Sequence, residues 1–282
     1  MRGSLIRSTP SAPWKGVHMH SIRSNIRQAV TSRGFMLSCF GTMAILLLSC
    51  MEGFVSAFRM LKYTEYGAPL MFGYHNDLIV SALSGEAMTI TLPILAALPY
   101  TTSVTDDVKS GFIKEYLPRT TIPRYIFGKV IGCALSGALA LMLGLAMAFA
   151  VASLMLLPLE AAPAITAGEA AQGIRLTISP VWGKLILMFA SGAFWASVGM
   201  LFSNLTMSRY MAYASPFVIY YVLIILYERY FPVVYVLYPK EWLAPSSLWL
   251  YGNAGVLMIV AELTALAGLG AGLSAGRRLS NV

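Results

Sequence analysis

The chain has 282 residues, of which 57% are hydrophobic and 11% are charged, and its formal net charge is +8. Soluble domains carry roughly 25% charged residues, so this composition excludes an ordinary soluble enzyme and also a disordered chain. The surplus of lysine and arginine does not by itself indicate nucleic-acid binding, because membrane proteins collect basic residues on their cytoplasmic loops. The three cysteines lie in apolar stretches, which excludes a secreted disulfide framework. We therefore expect an all-α, multi-pass membrane protein.

A polar segment at the start of the chain, residues 1–34, is predicted to be a cytoplasmic arm. Within it, Ile22, Ile26 and Val30 recur at every fourth position beside arginines, which is typical of a basic amphipathic helix at a membrane surface. A frayed polar tail is the alternative interpretation. The arm is longer than the positively charged segment that opens a signal peptide, so we expect the first membrane span not to be cleaved off.

Residues 35–282 are predicted to form the transmembrane domain, since about 20 apolar helical residues cross the roughly 30 Å apolar core of a bilayer. A further apolar piece, 230–239, is too short to cross and contains prolines, so we expect a re-entrant or interfacial helix between spans 5 and 6. The six predicted spans are residues 35–58, 87–105, 126–157, 185–207, 210–227 and 251–275.

The distribution of charge predicts the orientation of these spans. Six spans place both termini on one side of the membrane. The arm, the loop after span 2, the loop after span 4 and the tail together hold 14 basic residues, whereas the other side holds 6. Acidic residues outside the spans lean the opposite way, with three on the first side and seven on the second. The positive-inside rule therefore predicts cytoplasmic termini.

The cytoplasmic loop between spans 2 and 3, residues 106–125, is the most patterned part of the chain. Two acids open it, then a base and a glycine follow, and a short amphipathic run ends at a proline. A short charged helix between two spans can insert its apolar side into a partner's groove, while its charges set the register. The loop leads into span 3 through Arg124-Tyr125-Ile126-Phe127-Gly128-Lys129.

This loop resembles the coupling-helix loop of the type-2 ATP-binding-cassette (ABC) exporter permeases. The shared pattern is an acid, a base and a glycine, then an amphipathic helix, Pro-Arg and Tyr-x-x-Gly-Lys. The amphipathic arm, the six spans, the cytoplasmic termini and the short piece between spans 5 and 6 are also similar to that family. The chain departs from the commonest form of the loop, which has Glu-Arg before the glycine, because Asp107-Val108-Lys109 stands there.

The resemblance implies a permease subunit that exports a peptide, drug-like or lipidic cargo. It also implies three partners: cytoplasmic ABC ATPase subunits that hold ATP and Mg²⁺, a second permease that is identical or related, and membrane lipids. No nucleic acid is expected, and the expected location is the plasma membrane of a prokaryote. The residues implied to dock on the ATPase are Asp106, Asp107, Lys109, Gly111, Phe112, Lys114, Glu115, Tyr116 and Arg119.

The sequence contains no phosphate-binding loop of the form G-x-x-x-x-G-K-[S/T]. Gly128-Lys129 and Gly183-Lys184 are followed by valine and leucine and lack the upstream glycine. We therefore expect the chain not to be an enzyme by itself, and we assign it no catalytic, cofactor-binding or metal-binding residue.

Two acids, Glu52 and Glu262, fall within predicted spans, where an ionised carboxylate at the bilayer centre costs about 3 kcal/mol. They are candidates for the transport pathway or for a subunit interface. Tyr220 and Tyr221 are further candidates, as part of an aromatic group at the outer side of spans 5 and 6. An interfacial aromatic belt is the alternative interpretation of that group.

Two other functions remain open at this point. A stand-alone secondary transporter or channel predicts intramembrane charge pairs or inverted repeats, and the sequence shows two intramembrane acids and no clear repeat. A regulatory membrane subunit without a pathway is the second alternative. An intramembrane enzyme is disfavoured, because all three histidines lie outside the predicted spans.

Overall fold

A computed structural model describes residues 23–63, 70–116, 120–160, 167–246, 249 and 251–280, and for residues 61, 63, 116 and 167–180 it describes the backbone alone. In these ranges the chain is helical, with one isolated β-bridge and no strand. The predicted all-α fold class is confirmed to that extent. The helices are α1 (Arg23–Val30), α2 (Arg33–Ser49), α3 (Met51–Tyr63), α4 (Tyr74–Leu83), α5 (Glu86–Ala97), α6 (Ser103–Lys109), α7 (Phe112–Tyr116), α8 (Ile122–Leu156), α9 (Ala167–Thr206), α10 (Arg209–Ile225) and α11 (Gly252–Leu279).

Several of these helices are long and apolar enough to cross a membrane. Four stretches qualify individually, and two pairs qualify only if each bent pair counts as one span: α1 with α2, bent by 54°, and α4 with α5, bent by 66°. The part of the chain that the structure describes therefore holds four to six candidate spans, which indicates a membrane protein. The four individual stretches are Ile122–Leu159, Val181–Thr206, Arg209–Tyr230 and Gly252–Leu279.

The first two predicted spans differ from the observed helices. The predicted span 35–58 is divided at Cys50 between α2 and α3. The predicted span 87–105 contains α5, a turn and the start of α6. With 12 residues, α5 is about 18 Å long and cannot cross a 30 Å apolar core without α4 before it.

Specific residues hold the two bends. Ser32 caps α2, because its Oγ accepts a hydrogen bond from the Phe35 N–H at 3.1 Å and donates one to the Pro99 carbonyl at 3.1 Å. This link ties the α1–α2 bend to the end of α5. At the other bend, a Cβ on Gly85 would lie 3.0 Å from the Ala82 carbonyl oxygen, so glycine makes the sharp turn possible there.

The centre of the fold is the crossing of α8 and α9, where two glycines allow close approach. A Cβ on Gly137 would lie 2.5 Å from Ala196 Cβ, and a Cβ on Gly192 would lie 2.6 Å from the Gly137 carbonyl oxygen. Farther along α8, Gly144 faces Thr42 of α2 in the same way. The small residues of α8 therefore pack α2 and α9 within one chain.

The connection between α10 and α11 is irregular. It contains a π-helical turn, Leu226–Tyr230, and two 3₁₀ turns, Tyr235–Leu237 and Pro239–Trp242. The predicted re-entrant piece falls within this connection. Buried Trp242 anchors it by donating from Nε1 to the Val236 carbonyl at 3.1 Å and by stacking on Trp195 of α9.

Candidate functional site

Two short helices, α6 and α7, form the structure that we call the knob, residues 103–116. Gly111 joins them with φ +77°, a conformation that glycine adopts without a steric penalty. Ile113 is buried against the bundle, whereas Phe112, Lys114 and Glu115 are exposed. The knob therefore has an inner side that packs on its own chain and an outer side that is exposed.

A buried lysine lies beneath the knob. Lys129 of α8 is only 4% exposed, and its Nζ lies 2.8 Å from Oδ2 of Asp107. The same Nζ donates to the Tyr100 hydroxyl at 3.0 Å, and the Tyr125 hydroxyl donates to Asp107 Oδ2 at 2.6 Å. Since an ammonium group is strongly disfavoured in an apolar environment without partners, these contacts explain how it can be buried.

The network continues from Lys129 to the amphipathic helix α1. The Tyr100 hydroxyl lies 3.0 Å from Gln28 Oε1 and 3.3 Å from Asn25 Oδ1, and its ring lies beneath the Lys129 ammonium at 4.9 Å. The Lys129 ammonium and the Tyr100 hydroxyl thus connect α1, α6 and α8 at one end of the bundle. We call this end the knob end. We call this network the polar anchor: Asn25, Gln28, Tyr100, Asp107, Tyr125 and Lys129.

A polar cavity of about 290 Å³ lies between α1 and the knob, beside the polar anchor. This volume lies at the lower end of the range of ligand pockets. Its lining combines the polar anchor with the exposed ring of Phe112: Ser24, Asn25, Gln28, Asp107, Ser110, Phe112, Tyr125 and Lys129.

The neighbouring acid, Asp106, makes a second link. Its Oδ2 accepts from the Thr102 hydroxyl at 2.9 Å, and its Oδ1 accepts from Arg209 Nε at the start of α10. This pair is more exposed than the first, with 62% of the Arg209 side chain accessible. Both aspartates at the start of the loop therefore bind groups of their own chain.

The other residues predicted to dock on an ATPase divide between the outer side of the knob and regions without description. Lys109, Phe112, Lys114 and Glu115 are exposed, and Gly111 makes the turn between them. The Tyr116 side chain and Arg119 lie outside the described residues.

The four residues predicted for a pathway or a subunit interface lie on three different helices. Glu52 is exposed on α3, and Glu262 is exposed on α11. Tyr220 of α10 is buried, with its ring 5.7 Å from that of Trp195, whereas Tyr221 is 36% exposed. The aromatic group therefore contains a packed interior part and an exposed part.

Sequence reasoning missed a buried acid at the other end of α8. Oε1 of Glu160 accepts from the His75 N–H at 3.0 Å and lies 2.7 Å from His75 Nδ1, while Oε2 accepts from the Gly73 N–H at 2.7 Å. Neither side chain is more than 2% exposed. The carboxylate caps the first turn of α4, where the helix dipole favours negative charge.

The hydrogen bonds also change the acidity of this carboxyl. Burial by itself raises the pKa of Glu160, but the hydrogen bonds from His75 and Gly73 together lower it by more than burial raises it. The pKa therefore lies below its ordinary value of 4.5. No local pattern marks this pair, because 85 residues separate the two partners.

Comparisons with protein-family models, curated proteins and solved structures found no match to this chain.

Proposed function

We propose that this chain is the membrane-spanning permease subunit of a type-2 ABC exporter, in which a separate subunit hydrolyses ATP. The observation that carries the proposal is that the knob has an exposed outer side and an anchored root, by which we mean Asp106 and Asp107 with their ion pairs. Phe112 and Glu115 offer an apolar and a charged contact to a partner, while Asp107 is bound to buried Lys129.

The anchored root would transmit movement of a docked ATPase to the bundle. A displacement of the knob pulls on Lys129 of α8 directly, because separating a shielded ion pair leaves an uncompensated charge. The same displacement reaches α10 through Arg209 and α1 through Tyr100. With 35 residues, α8 is about 52 Å long, so that a small tilt at its base moves its far end by several ångströms.

In the proposed topology α2 and the start of α3 form span 1, the bent pair α4 and α5 forms span 2, α1 lies at the cytoplasmic membrane surface, and both termini are cytoplasmic. Positions that the charge pattern assigns to the cytoplasm lie together at the knob end. Arg209 contacts Asp106 there, and Arg278 contacts the Leu205 carbonyl at the end of α9. The irregular connection before α11, including residues 230–239, would then be on the outer side.

The proposed assembly contains two permeases and two ATPases. The described helices of one chain pack around three apolar clusters, so we propose that a second permease, identical or related, completes the pathway. The proposed cargo is a peptide, a drug-like molecule or a lipid, moved outward across the plasma membrane of a prokaryote.

Affinity purification tests the proposal. The full chain, expressed from its own locus, should retain a cytoplasmic ATPase that mass spectrometry identifies by its phosphate-binding loop. Phe112→Asp and Glu115→Lys should each abolish this retention and ATP-driven transport, because both alter the outer side of the knob. Glu228→Lys is the matched control, since it makes the same charge change on an exposed residue in the turn after α10, outside the knob.

Two results would overturn the proposal. One is a normal complex with full transport in both knob variants. The other is cargo movement by the purified chain alone in proteoliposomes without ATP, which would favour a stand-alone transporter or channel. The thermal midpoint of each variant shows whether the permease itself is still folded.

A further inference from the structure

A groove between α9 and α11 lies at the knob end, apart from the knob itself. It has a volume of about 300 Å³ and opens to the surface of the bundle. Its floor is apolar, and two arginines from the last turn of α11 stand at its end. The lining residues are Leu205, Gly270, Leu273, Ser274, Arg277 and Arg278.

The walls of the groove are held by contacts between the two helices. The Asn204 side chain donates from Nδ2 to the Ala271 carbonyl at 3.2 Å. Gly270 lets the helices approach, because a Cβ there would lie 3.3 Å from the side chain of Leu201. The groove is therefore a built feature of the α9–α11 packing.

The two arginines are held differently. Arg278 Nη2 donates to the Leu205 carbonyl at 2.5 Å, which fixes that guanidinium over the end of α9. Arg277 is exposed, and it forms no ion pair with any acid in the described ranges. Arg278 is thus held beside the groove through one of its five N–H donors, and Arg277 is accessible, so both guanidinium groups can face an anion.

The electrostatics of this end require such cations if an anion is to bind. Both α9 and α11 end here, and the C-terminal ends of helices carry partial negative charge that repels anions. The two guanidinium groups carry two full positive charges, which exceed the partial negative charge of about 0.5 at each helix end. If the two arginines served only to offset the negative helix ends, an apolar groove beside them would not be needed.

The apolar surface continues from the groove along α11. Leu266, Leu269 and Leu273 are each at least 65% exposed on the same side of the helix. From Arg277 to Leu266 the helix rises about 16 Å, close to half of a 30 Å bilayer core and hence to one leaflet. The surface therefore fits a molecule with an anionic head and a hydrocarbon chain one leaflet long.

We propose that this groove binds one anionic phospholipid, with its phosphate at Arg277 and Arg278 and one acyl chain along Leu273 and Leu269. Basic pockets between membrane helices on the cytoplasmic side are suited to such headgroups. The site requires only that α11 lies in a membrane, so it does not depend on the proposed ATPase partner.

Native mass spectrometry of the purified full chain in detergent tests the site. Phosphatidylglycerol should bind more tightly than phosphatidylcholine with the same acyl chains. Arg277→Gln should weaken phosphatidylglycerol binding roughly fivefold, since one cation near a phosphate is removed. Lys114→Gln removes the same charge from the exposed side of the knob and should leave that binding unchanged. The additional change Arg278→Gln should weaken binding further.

Three outcomes would overturn the assignment. The first is equal binding of the two lipids by the unmodified chain. The second is an equal loss in the Arg277 and Lys114 variants, which would indicate general charge attraction. The third is displacement of phosphatidylglycerol by glycerol phosphate at the same concentration, which would indicate a phosphate site without a role for the acyl chain. Arg277→Gln decides the question even if the double variant does not fold.

Discussion

Lys129 Nζ lies 2.8 Å from Asp107 Oδ2 in a place where both side chains are largely shielded from water. The adjacent acid, Asp106, pairs with Arg209 at the surface. Two neighbouring aspartates in one short helix thus form ion pairs that differ mainly in exposure. They allow a direct comparison between a buried and an exposed ion pair at the root of the knob.

Removal of the buried cation should destabilise the chain strongly. Lys129→Met leaves Asp107 without its cation beneath the knob and should lower the free energy of unfolding by about 3 kcal/mol. Arg209→Gln, the matched change at the exposed pair, should lower it by less than about 1 kcal/mol. Thermal unfolding of the purified variants in one detergent measures both effects.

A double variant separates the charge from the packing. In Lys129→Met with Asp107→Leu, neither buried charge remains, so much of the lost stability should return. If the double variant unfolds as early as Lys129→Met alone, uncompensated charge is not the cause of the loss.

The turn of the knob depends on the backbone conformation of Gly111. A Cβ at this position would meet no atom within 4 Å, so a substitution acts through the positive φ alone. Gly111→Val should cost about 1–2 kcal/mol, whereas Gly111→Asn should cost less, because asparagine tolerates the left-handed region. Equal thermal midpoints for the two variants would contradict this explanation.

The capping carboxylate at Glu160 should make stability depend on pH. The pKa of Glu160 is lower in the folded chain than its ordinary value of 4.5, so the ionised carboxylate makes its full contribution to folding stability above pH 4.5. The contribution is lost as the pH falls through the folded pKa. Glu160→Gln should lower stability by about 2 kcal/mol at neutral pH and flatten the decline below pH 4.5.

Glu86→Gln is the control for this experiment. Glu86 also lies in the first turn of a helix, but it is exposed and no hydrogen bond from a side chain caps that helix. Between about pH 3 and pH 7, the stability profile of Glu86→Gln should match that of the unmodified chain. An unchanged profile in Glu160→Gln would show that the capping contacts do not control the acid response.

Glu262 should contribute to assembly of the chain with a second permease. It is exposed on α11 between Met258 and Leu266, on an otherwise apolar side of the helix. A carboxylate at this depth is costly in lipid and favourable against a hydrogen-bond donor of another helix. Glu262→Gln should reduce the dimer fraction, measured by cross-linking in membranes, while Glu228→Gln in the turn after α10 should not. Unchanged assembly and unchanged transport would remove Glu262 from the interface.

The sequence located the knob, because charges, a glycine and prolines are local signals. It marked Asp107, Tyr125 and Lys129 within one motif, and we expected the acids to face an ATPase. The structure shows that both aspartates contact groups of the same chain, and the predicted docking itself stays a prediction. Whether a side chain faces inward or outward depends on the position of α8 and α10, which the motif does not contain.

Other contacts left no sequence signal at all. Tyr100 meets Gln28 across 72 positions, and His75 meets Glu160 across 85. The predicted second span, residues 87–105, also left out α4 and did not show the bend before α5, because hydropathy measures the apolarity of a segment and is insensitive to its direction. These features follow from packing between helices that are distant along the chain.

The sequence by itself determined that the protein is helical and apolar enough for a membrane, since a membrane span requires only an apolar stretch of about 20 helical residues. It also determined which loop carries the patterned charges. Only the tertiary structure decided which of those charges are available to a partner. Lys129 is buried because two other segments supply its partners, Tyr100 and Asp107, and this arrangement leaves Lys109, Phe112, Lys114 and Glu115 on the exposed side of the knob.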